Sequence, residues 1–318
     1  MIVAATWDVD DLGRAGCELV GAANRLGAAL GAEVAFVSLA ADGAGAAEAA
    51  GTHGAARAFV VLGDHAVSGS EGSVAALAEL ARELNARAVL LPADEQGGEV
   101  APRLAERLAG TAVTHALAIE AADGRPVWTR PVFGGKALAT VMATVEPVVA
   151  TLRRGAFDPA EETGGSVSIE AREVPAGDGA VELLDSEAPA GGASLEDAAV
   201  IVSGGAGLGS AEAFSELEEL ARLLGGAVGA SLAAVDAGWA PPERQVGLTG
   251  KAVSPDVYFA LGISGASQHL AGIGSAKAVV AVNTDPDAPI FRTARLGAVM
   301  DCREFIGALV AELRRSAR

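Results

Sequence analysis

Twice along this chain, short β-prone apolar runs alternate with stretches whose apolar residues recur at helical spacing, and this double alternation limits the fold more than any other feature. In the first half "EVAFVSLA" (33–40), "RAFVVLG" (57–63) and "RAVLLPAD" (87–94) read as strands, while "SVAALAELARELNA" (73–86) places Val74, Leu77, Leu80, Ala81 and Leu84 on one helix face. Strands alternating with helices predict a parallel sheet. The pattern predicts a second helix over 100–110, "VAPRLAERLAG", with Pro102 in its first turn and Gly110 at its end. "HALAIE", "PVWTRPVFGGKALATVMAT" and "PVVATLRRGAF" then read as strands in a sheet that continues.

Residues 158–198 break the alternation with a run rich in Glu, Gly, Ala, Ser and Pro, inside which short strands fit. A chain of 318 residues exceeds the roughly 250–300 that one hydrophobic core serves, so two domains are expected, 1–187 and 188–318, divided in this Pro/Gly-rich stretch. The second half restarts with "AAVIVSGGAGLGSAEAFSELEELARLLG": a strand at 198–202, glycines at 204, 205, 207 and 209, then a helix with Phe214, Leu217, Leu220, Ala221 and Leu224 on one face. Ser210 is its expected N-cap. Further strands are expected at "VGASLAAV" (228–235), "DVYFALG" (256–262), "AVVAVN" (278–283) and "AVMD" (298–301), with a last helix, "REFIGALVAELRRSA". The fold class is α/β, with two Rossmann-like parallel-sheet domains.

Charge and composition remove several function classes. With 41 acidic against 23 basic residues the formal net charge is −18, the opposite of the basic stripe that a nucleic-acid backbone requires. No segment supplies the ~18 uninterrupted apolar residues of a membrane span, and the opening "MIVAATWDVDDLG" has no basic and apolar signal pattern, so a soluble cytoplasmic protein is expected. Cys17 and Cys302 are too few for a disulfide framework and are expected as buried thiols. His53, His65 and His115 lack ligand spacing, so no metal is expected.

In open α/β sheets ligands bind outside the carboxyl ends of the strands. Here those ends carry Ser203-Gly204-Gly205, Ser264-Gly265-Ala266-Ser267, Asn283 and Asp301, which would line one polar crevice. Gly205-x-Gly207-x-Gly209 is neither the dinucleotide fingerprint nor a P-loop, and tight-turn packing explains it equally well. "LGISGASQHLAGIGSAKAVVAVN" (261–283) is more informative: after an apolar strand it offers Ser264, the backbone N–H groups of 265–267, and the side chains of Gln268 and His269. These donors suit phosphate and carbonyl oxygens, although a packed or capping histidine is the plainer role for His269. A hydrolase using Ser264 or Ser267 with His269 is disfavoured, because no G-x-S-x-G elbow occurs and no Asp is placed to orient the imidazole.

Read in order, "VSGGAGLGS", "GASLAAVDAG", "QVGLTGKAVSPDVYFALGISGASQHLAG", "AVVAVNTDPDAPIF" and "AVMD" resemble the FAD-binding, DHS-like domain of the electron transfer flavoprotein α subunit. "LLPADEQGGEVAPRLAERLAG", "RPVFGGKALATV" and "LRRGAF" resemble that family's N-terminal domain. The resemblance implies a heterodimer with a β subunit, which the N-terminal domain would contact and which would hold AMP or a second flavin. It implies an electron carrier rather than an enzyme with its own substrate, moving electrons from a flavin dehydrogenase, such as the acyl-CoA dehydrogenases of fatty acid β-oxidation, to a quinone oxidoreductase or similar acceptor.

Carried over motif by motif, FAD contacts fall on Ser231, Val246, Gly247, Thr249 and Gly250, and on Ser264, Gly265, Ala266, Ser267, Gln268 and His269, with Asn283 and Asp301 holding the adenosine half. Thr249 matches the family's hydroxyl near flavin N5 and His269 its imidazole near the pyrimidine-ring oxygen. Three positions depart from the pattern: Ala206 and Leu232 stand where the family usually has Arg, and Leu248 where it has Gln. Loss of a cation beside the isoalloxazine, about 1–2 kcal/mol at a partly solvated site, implies a flavin harder to reduce by several tens of millivolts. The same departures admit a specialised or bifurcating-type paralogue, or a subunit that uses FAD or AMP structurally without redox turnover.

Overall fold

The computed structural model describes residues 1–7, 11–40, 42–62, 65–133, 135, 137–173, 195–196 and 198–316, with only the backbone for 65–70. The chain divides into two compact units, Met1–Ala188 and Pro189–Arg318. The boundary expected near residue 187 lies outside the described residues.

The first unit runs β1 (Ile2–Thr6), α1 (Gly13–Leu30), β2 (Val34–Ser38), α2 (Ala44–Thr52), β3 (Arg57–Leu62), α3 (His65–Glu83), β4 (Ala88–Pro92), α4 (Glu95–Arg107), β5 (Thr111–Ala116), β6 (Ala118–Ala122), β7 (Arg125–Val132), β8 (Ala137–Met142), β9 (Val148–Leu152) and β10 (Ile169–Glu173). Seven strands form a sheet in the order β10-β3-β2-β1-β4-β9-β5, every pair parallel. Strands β1, β2 and β9 are buried at every position, and apolar at all but Thr6, Ser38 and Thr151, because both faces of the sheet are covered. The sheet's two-residue period splits the core: Ile2, Ala4, Phe36 and Leu90 pack beneath α1 and α2, and Val3, Ala5, Val37 and Leu91 beneath α3 and α4.

Four local expectations change here. The helix expected at 100–110 starts five residues earlier, because the Asp94 carboxylate accepts from Gly97 N at 2.7 Å and caps the chain there. Pro102 therefore lies in the helix interior, where its ring faces the Gly98 carbonyl four residues back; Gly98 itself stands against open space. The helix read over 73–86 likewise begins at His65. Nor does the sheet simply continue: β6, β7 and β8 form a separate antiparallel sheet. Asp123 and Gly124 both take positive φ, 51° and 72°, the geometry of a tight Asp-Gly hairpin turn. Trp128 on β7 is fully buried in the core beneath α1 and anchors that small sheet. Both thiols are free, but only Cys302 is buried; Cys17 is half-buried, its Sγ 3.9 Å from His53 Nε2.

The second unit runs β11 (Val200–Gly204), α5 (Ala213–Leu224), β12 (Ala227–Ala230), α6 (Leu232–Asp236), β13 (Val257–Leu261), α7 (Ser267–Ile273), β14 (Ala278–Asn283), β15 (Leu296–Val299) and α8 (Cys302–Ser316). Its parallel sheet has the order β12-β11-β13-β14-β15. One face is covered by α5 and α8 through Phe214, Leu217, Leu220 and Ile306. The other is closed by Val246, Val253, Ile263, Ile273 and Ile290, which stand on loops and on α7. Ser210 does not cap α5; Glu212 occupies that position without a side-chain bond, and the Ser210 hydroxyl instead binds the Glu212 carboxylate and holds its pKa down. The run at 228–235 is strand only to Ala230, since Ser231 caps a short helix there. Among the described residues no helix is long and apolar enough to cross a membrane.

Candidate functional site

The strand order reverses between β11 and β13, so chain leaving these neighbours departs in opposite directions and opens a crevice at their carboxyl ends. Gly204 is level with Ala230 of β12 and Leu261 of β13, which brings three loops to one height.

The glycines of these loops serve first to bring backbones together. Gly205 N donates to Leu261 O and Gly207 N to Gly262 O, each at 2.9 Å. A Cβ on Gly205 would lie 2.3 Å from the Gly262 carbonyl oxygen, and one on Gly207 2.7 Å from Gly262 Cα. Between the two explanations of the 205–209 loop, packing against its neighbour is the one these contacts support. Gly265, at φ +85°, has Ile290 N 2.4 Å from its Cβ position, and a Cβ on Gly272 would meet Gly247 N at 2.5 Å.

The 245–251 loop is tied at both ends. Val246 N donates to Ala230 O at 2.9 Å, Lys251 N to Gln245 O at 2.8 Å, and Leu248 N to Gln268 O on α7 at 2.7 Å. Inside it Gln245 Nε2 donates to Thr249 Oγ1 at 2.9 Å. The Thr249 hydroxyl, on an exposed residue, keeps its own proton to donate. Ser231 N donates to Gly204 O at 2.9 Å, and its hydroxyl accepts from Ala234 N at 3.4 Å at the start of α6.

In the 264–269 segment Ser264, Ala266, Ser267 and Gln268 are exposed and Gly265 is buried. Ser267 Oγ donates to Gln268 Oε1 at 3.2 Å. Asn283 Nδ2 donates to Ile263 O at 3.0 Å and Asn283 Oδ1 accepts from Asp285 N, so this amide braces the loop from the end of β14. Asp301 caps α8, its Oδ1 accepting from Arg303 N at 2.8 Å and Glu304 N at 3.3 Å.

His269 is 7% exposed. Its Nε2 lies 3.1 Å from Tyr258 Oη, within β13, and among the described residues the buried Nδ1 meets no partner at hydrogen-bond geometry. Burial drives its pKa down to about 4, with the Val246 backbone opposing in part. Burial also pushes the Tyr258 phenol up, opposed by the neighbouring Ser203 hydroxyl. Among the described residues no serine pairs with His269 as a hydrolase would need; its side-chain hydrogen bond goes to Tyr258. The departures noted in the sequence lie on the same loops: Ala206 follows Gly205, Leu232 opens α6 at 46% exposure, and Leu248 is 61% exposed.

The residues expected at the site therefore stand on loops or helix starts near the carboxyl ends of β12, β13 and β15, except Asn283, which is the last residue of β14. Sequence reasoning missed two partners, Gln245 and Tyr258. The signal for Gln245 was its i, i+4 spacing from Thr249; Tyr258, the chain's one tyrosine, was hidden because an inward-facing aromatic in a strand reads as core. The exposed Thr249 hydroxyl and the exposed polar residues of the 264–268 loop form a cradle suited to an anionic, carbonyl-bearing cofactor. Among the described residues no group of three or more His, Cys, Asp or Glu could hold a metal ion.

Comparison with known proteins bears on the same segments. Residues 194–274 match the family model described as the electron transfer flavoprotein FAD-binding domain, and residues 3–177 the one described as the electron transfer flavoprotein domain. The chain is 38% identical over 266 residues to the electron transfer flavoprotein subunit alpha of Syntrophomonas wolfei, covering 83% of this chain and 84% of the relative. It is 45% identical to the protein of that name from Mycobacterium leprae over 71% of this chain and 70% of the relative. It is 41% identical to the mitochondrial one of Dictyostelium discoideum over 72% of this chain and 66% of the relative.

Proposed function

Because the chain belongs to the electron transfer flavoprotein α-subunit family, we propose that its second unit holds FAD over the strand-end loops and that the protein carries electrons between other flavoproteins. The observation that supports this most is the cradle of Thr249 and the polar 264–268 loop, lying inside the segment matched by the FAD-binding family model. FAD supplies the electron chemistry when bound, and the protein supplies binding, orientation and potential.

The chain's own residues divide that work. Thr249, bonded by Gln245, offers a hydroxyl donor on an exposed residue; His269 is kept neutral by burial. Preorganised donors of this kind stabilise negative charge without rearranging. Ser231, Val246, Gly247 and Gly250 fix the loop beside them, Asn283 braces the 263–265 turn, and Asp301 keeps one carboxylate oxygen for a ribose or adenine contact.

The partner in this reading is a β subunit carrying AMP or a second flavin, docked on the first unit. The small antiparallel sheet supports that site: Phe133 at the β7–β8 turn is 82% exposed, and Leu138 and Met142 project from the edge strand β8. The donor would be a flavin dehydrogenase of the acyl-CoA type, the acceptor a quinone oxidoreductase or similar protein, and the location the cytoplasm.

Leu232 and Leu248, both exposed where the family carries Arg and Gln, favour a specialised paralogue with a low flavin potential. The test is Leu232→Arg in the FAD-loaded heterodimer. It is expected to raise the flavin midpoint potential by several tens of millivolts, from about 1–2 kcal/mol of added charge stabilisation. An unchanged potential removes the low-potential reading. FAD content measured on the chain purified with its β subunit tests the parent claim, with one bound FAD per heterodimer beyond any flavin of the β subunit expected, and none contradicting it.

A further inference from the structure

In a chain whose net charge is −18, the end of β5 gathers positive charge. Strands β5 and β9 pair in parallel, but the register shifts between Val113 and Ala116, and His115 takes a positive φ of 56° there. Such a bulge re-aims a side chain out of the ladder's alternation. The His115 backbone N–H goes to Thr151 Oγ1 at 2.8 Å. Arg130 of β7 reaches the same bulge from the small antiparallel sheet: Nε donates to Thr114 O at 3.0 Å and Nη2 to Thr114 Oγ1 at 2.9 Å. Arg153 arrives from β9, its backbone N donating to Ala116 O at 3.0 Å, one residue past the Ala116–Leu152 pair. The imidazole is crowded by protein although His115 reaches solvent: desolvation lowers its pKa first, and Arg153 and Arg130 then push it further down. No carboxylate is among the groups acting on it. Both arginines are half-buried, and among the described residues the Arg130 guanidinium meets no carboxylate.

We propose that His115, Arg130 and Arg153 form an oxyanion site that takes a carboxylate side chain of the β subunit, the charged anchor of an interface whose apolar part is Phe133. This rests on the reading of the first unit as the β-subunit docking surface. Like charges held together at a half-buried place are costly, and a carboxylate set among them offsets that cost. Arginine suits the task, since its planar fork matches a carboxylate with parallel N–H groups, and Thr114 already fixes the fork of Arg130. A protein carboxylate is favoured over a free anion by continuity: Arg130 stands on β7, the strand that leads into the turn of the exposed Phe133. A partner segment covers the cations and that apolar edge together, whereas a free anion covers the cations alone. A carboxylate beside the imidazole favours its charged form, so docking takes up a proton at His115. Association therefore weakens as pH rises through the range in which His115 titrates.

The experiment uses the two purified full-length subunits. Histidine 1H–15N NMR follows the titration of His115 in this chain alone and in the heterodimer; the chain has four histidines, and His115→Gln identifies the signal. Calorimetric titration measures association across pH and salt. The His115 pKa is expected to rise on docking. Arg130→Gln, which keeps an amide for Thr114, should weaken association at least tenfold and flatten its salt dependence, and His115→Gln should flatten its pH dependence. A His115 pKa that does not rise in the wild-type heterodimer overturns the proposal, whatever the variants do. So does a folded Arg130→Gln that binds the β subunit with undiminished affinity. Inorganic phosphate that raises the His115 pKa in the chain alone without competing against the β subunit marks a site for a free oxyanion, and also overturns the partner assignment. Wild-type subunits that fail to associate refute the docking reading and the proposal with it, whereas association with an unmoved His115 refutes the proposal alone.

Discussion

At the scale of single residues the site is set by what each polar group already binds. His269 gives this a measurable pH dependence. Its folded pKa is about 4 against about 6.5 in an unfolded chain. Below pH 6.5 the unfolded chain takes up a proton that the folded one refuses, so stability falls as pH drops from about 6.5 to about 4 and then levels. The loss is of order 3 kcal/mol. Urea denaturation of the FAD-free protein at pH 7 and pH 4 measures it by difference: His269→Asn should lose less stability than the wild type over that interval, and equal losses would mean the imidazole is not held neutral. The residue scale also shows where the sequence was legible. Thr249, His269, Asn283 and Asp301 were visible by resemblance, but their partners were not, because a hydrogen bond such as Gln245–Thr249 depends on how a loop folds back. The glycines were visible as bareness alone; that Gly205 and Gly207 face Gly262 rather than open space is a fact of tertiary approach.

At the scale of elements, short apolar runs located β2, β3, β4, β9, β11, β13 and β14, while β1, α1 and α2 drew no reading from the sequence. Boundaries were lost where capping competes with composition. Asp94 opens α4 through "DEQGG", whose glycines read as loop, and Pro102 then mimics a helix start it does not occupy. The β6–β8 sheet was legible as strands but not as a separate sheet, since pairing partners are set by the Asp123-Gly124 turn and by Trp128 reaching the core under α1. The capping account predicts that Asp94→Ala destabilises the protein by about 1 kcal/mol, read as a lower midpoint in chemical denaturation. No change would place the helix start downstream, nearer Pro102.

At the scale of the whole molecule, two parallel-sheet units divide the labour: the second gathers its donors at one topological switch point, and the first leaves an apolar edge uncovered. Phe133 is the position to probe, because its φ of 54° is one that Asp tolerates better than an aromatic. Phe133→Asp should leave the chain folded while weakening association with the β subunit at least tenfold, measured by titration of the two purified subunits; undiminished affinity would move the interface elsewhere. The central claim is that this chain carries electrons on FAD. The most direct test is the visible absorption spectrum of the complex with its β subunit during stepwise anaerobic reduction. The account predicts flavin bands that bleach reversibly as electrons are added; a colourless complex that cannot be reconstituted with FAD would contradict it.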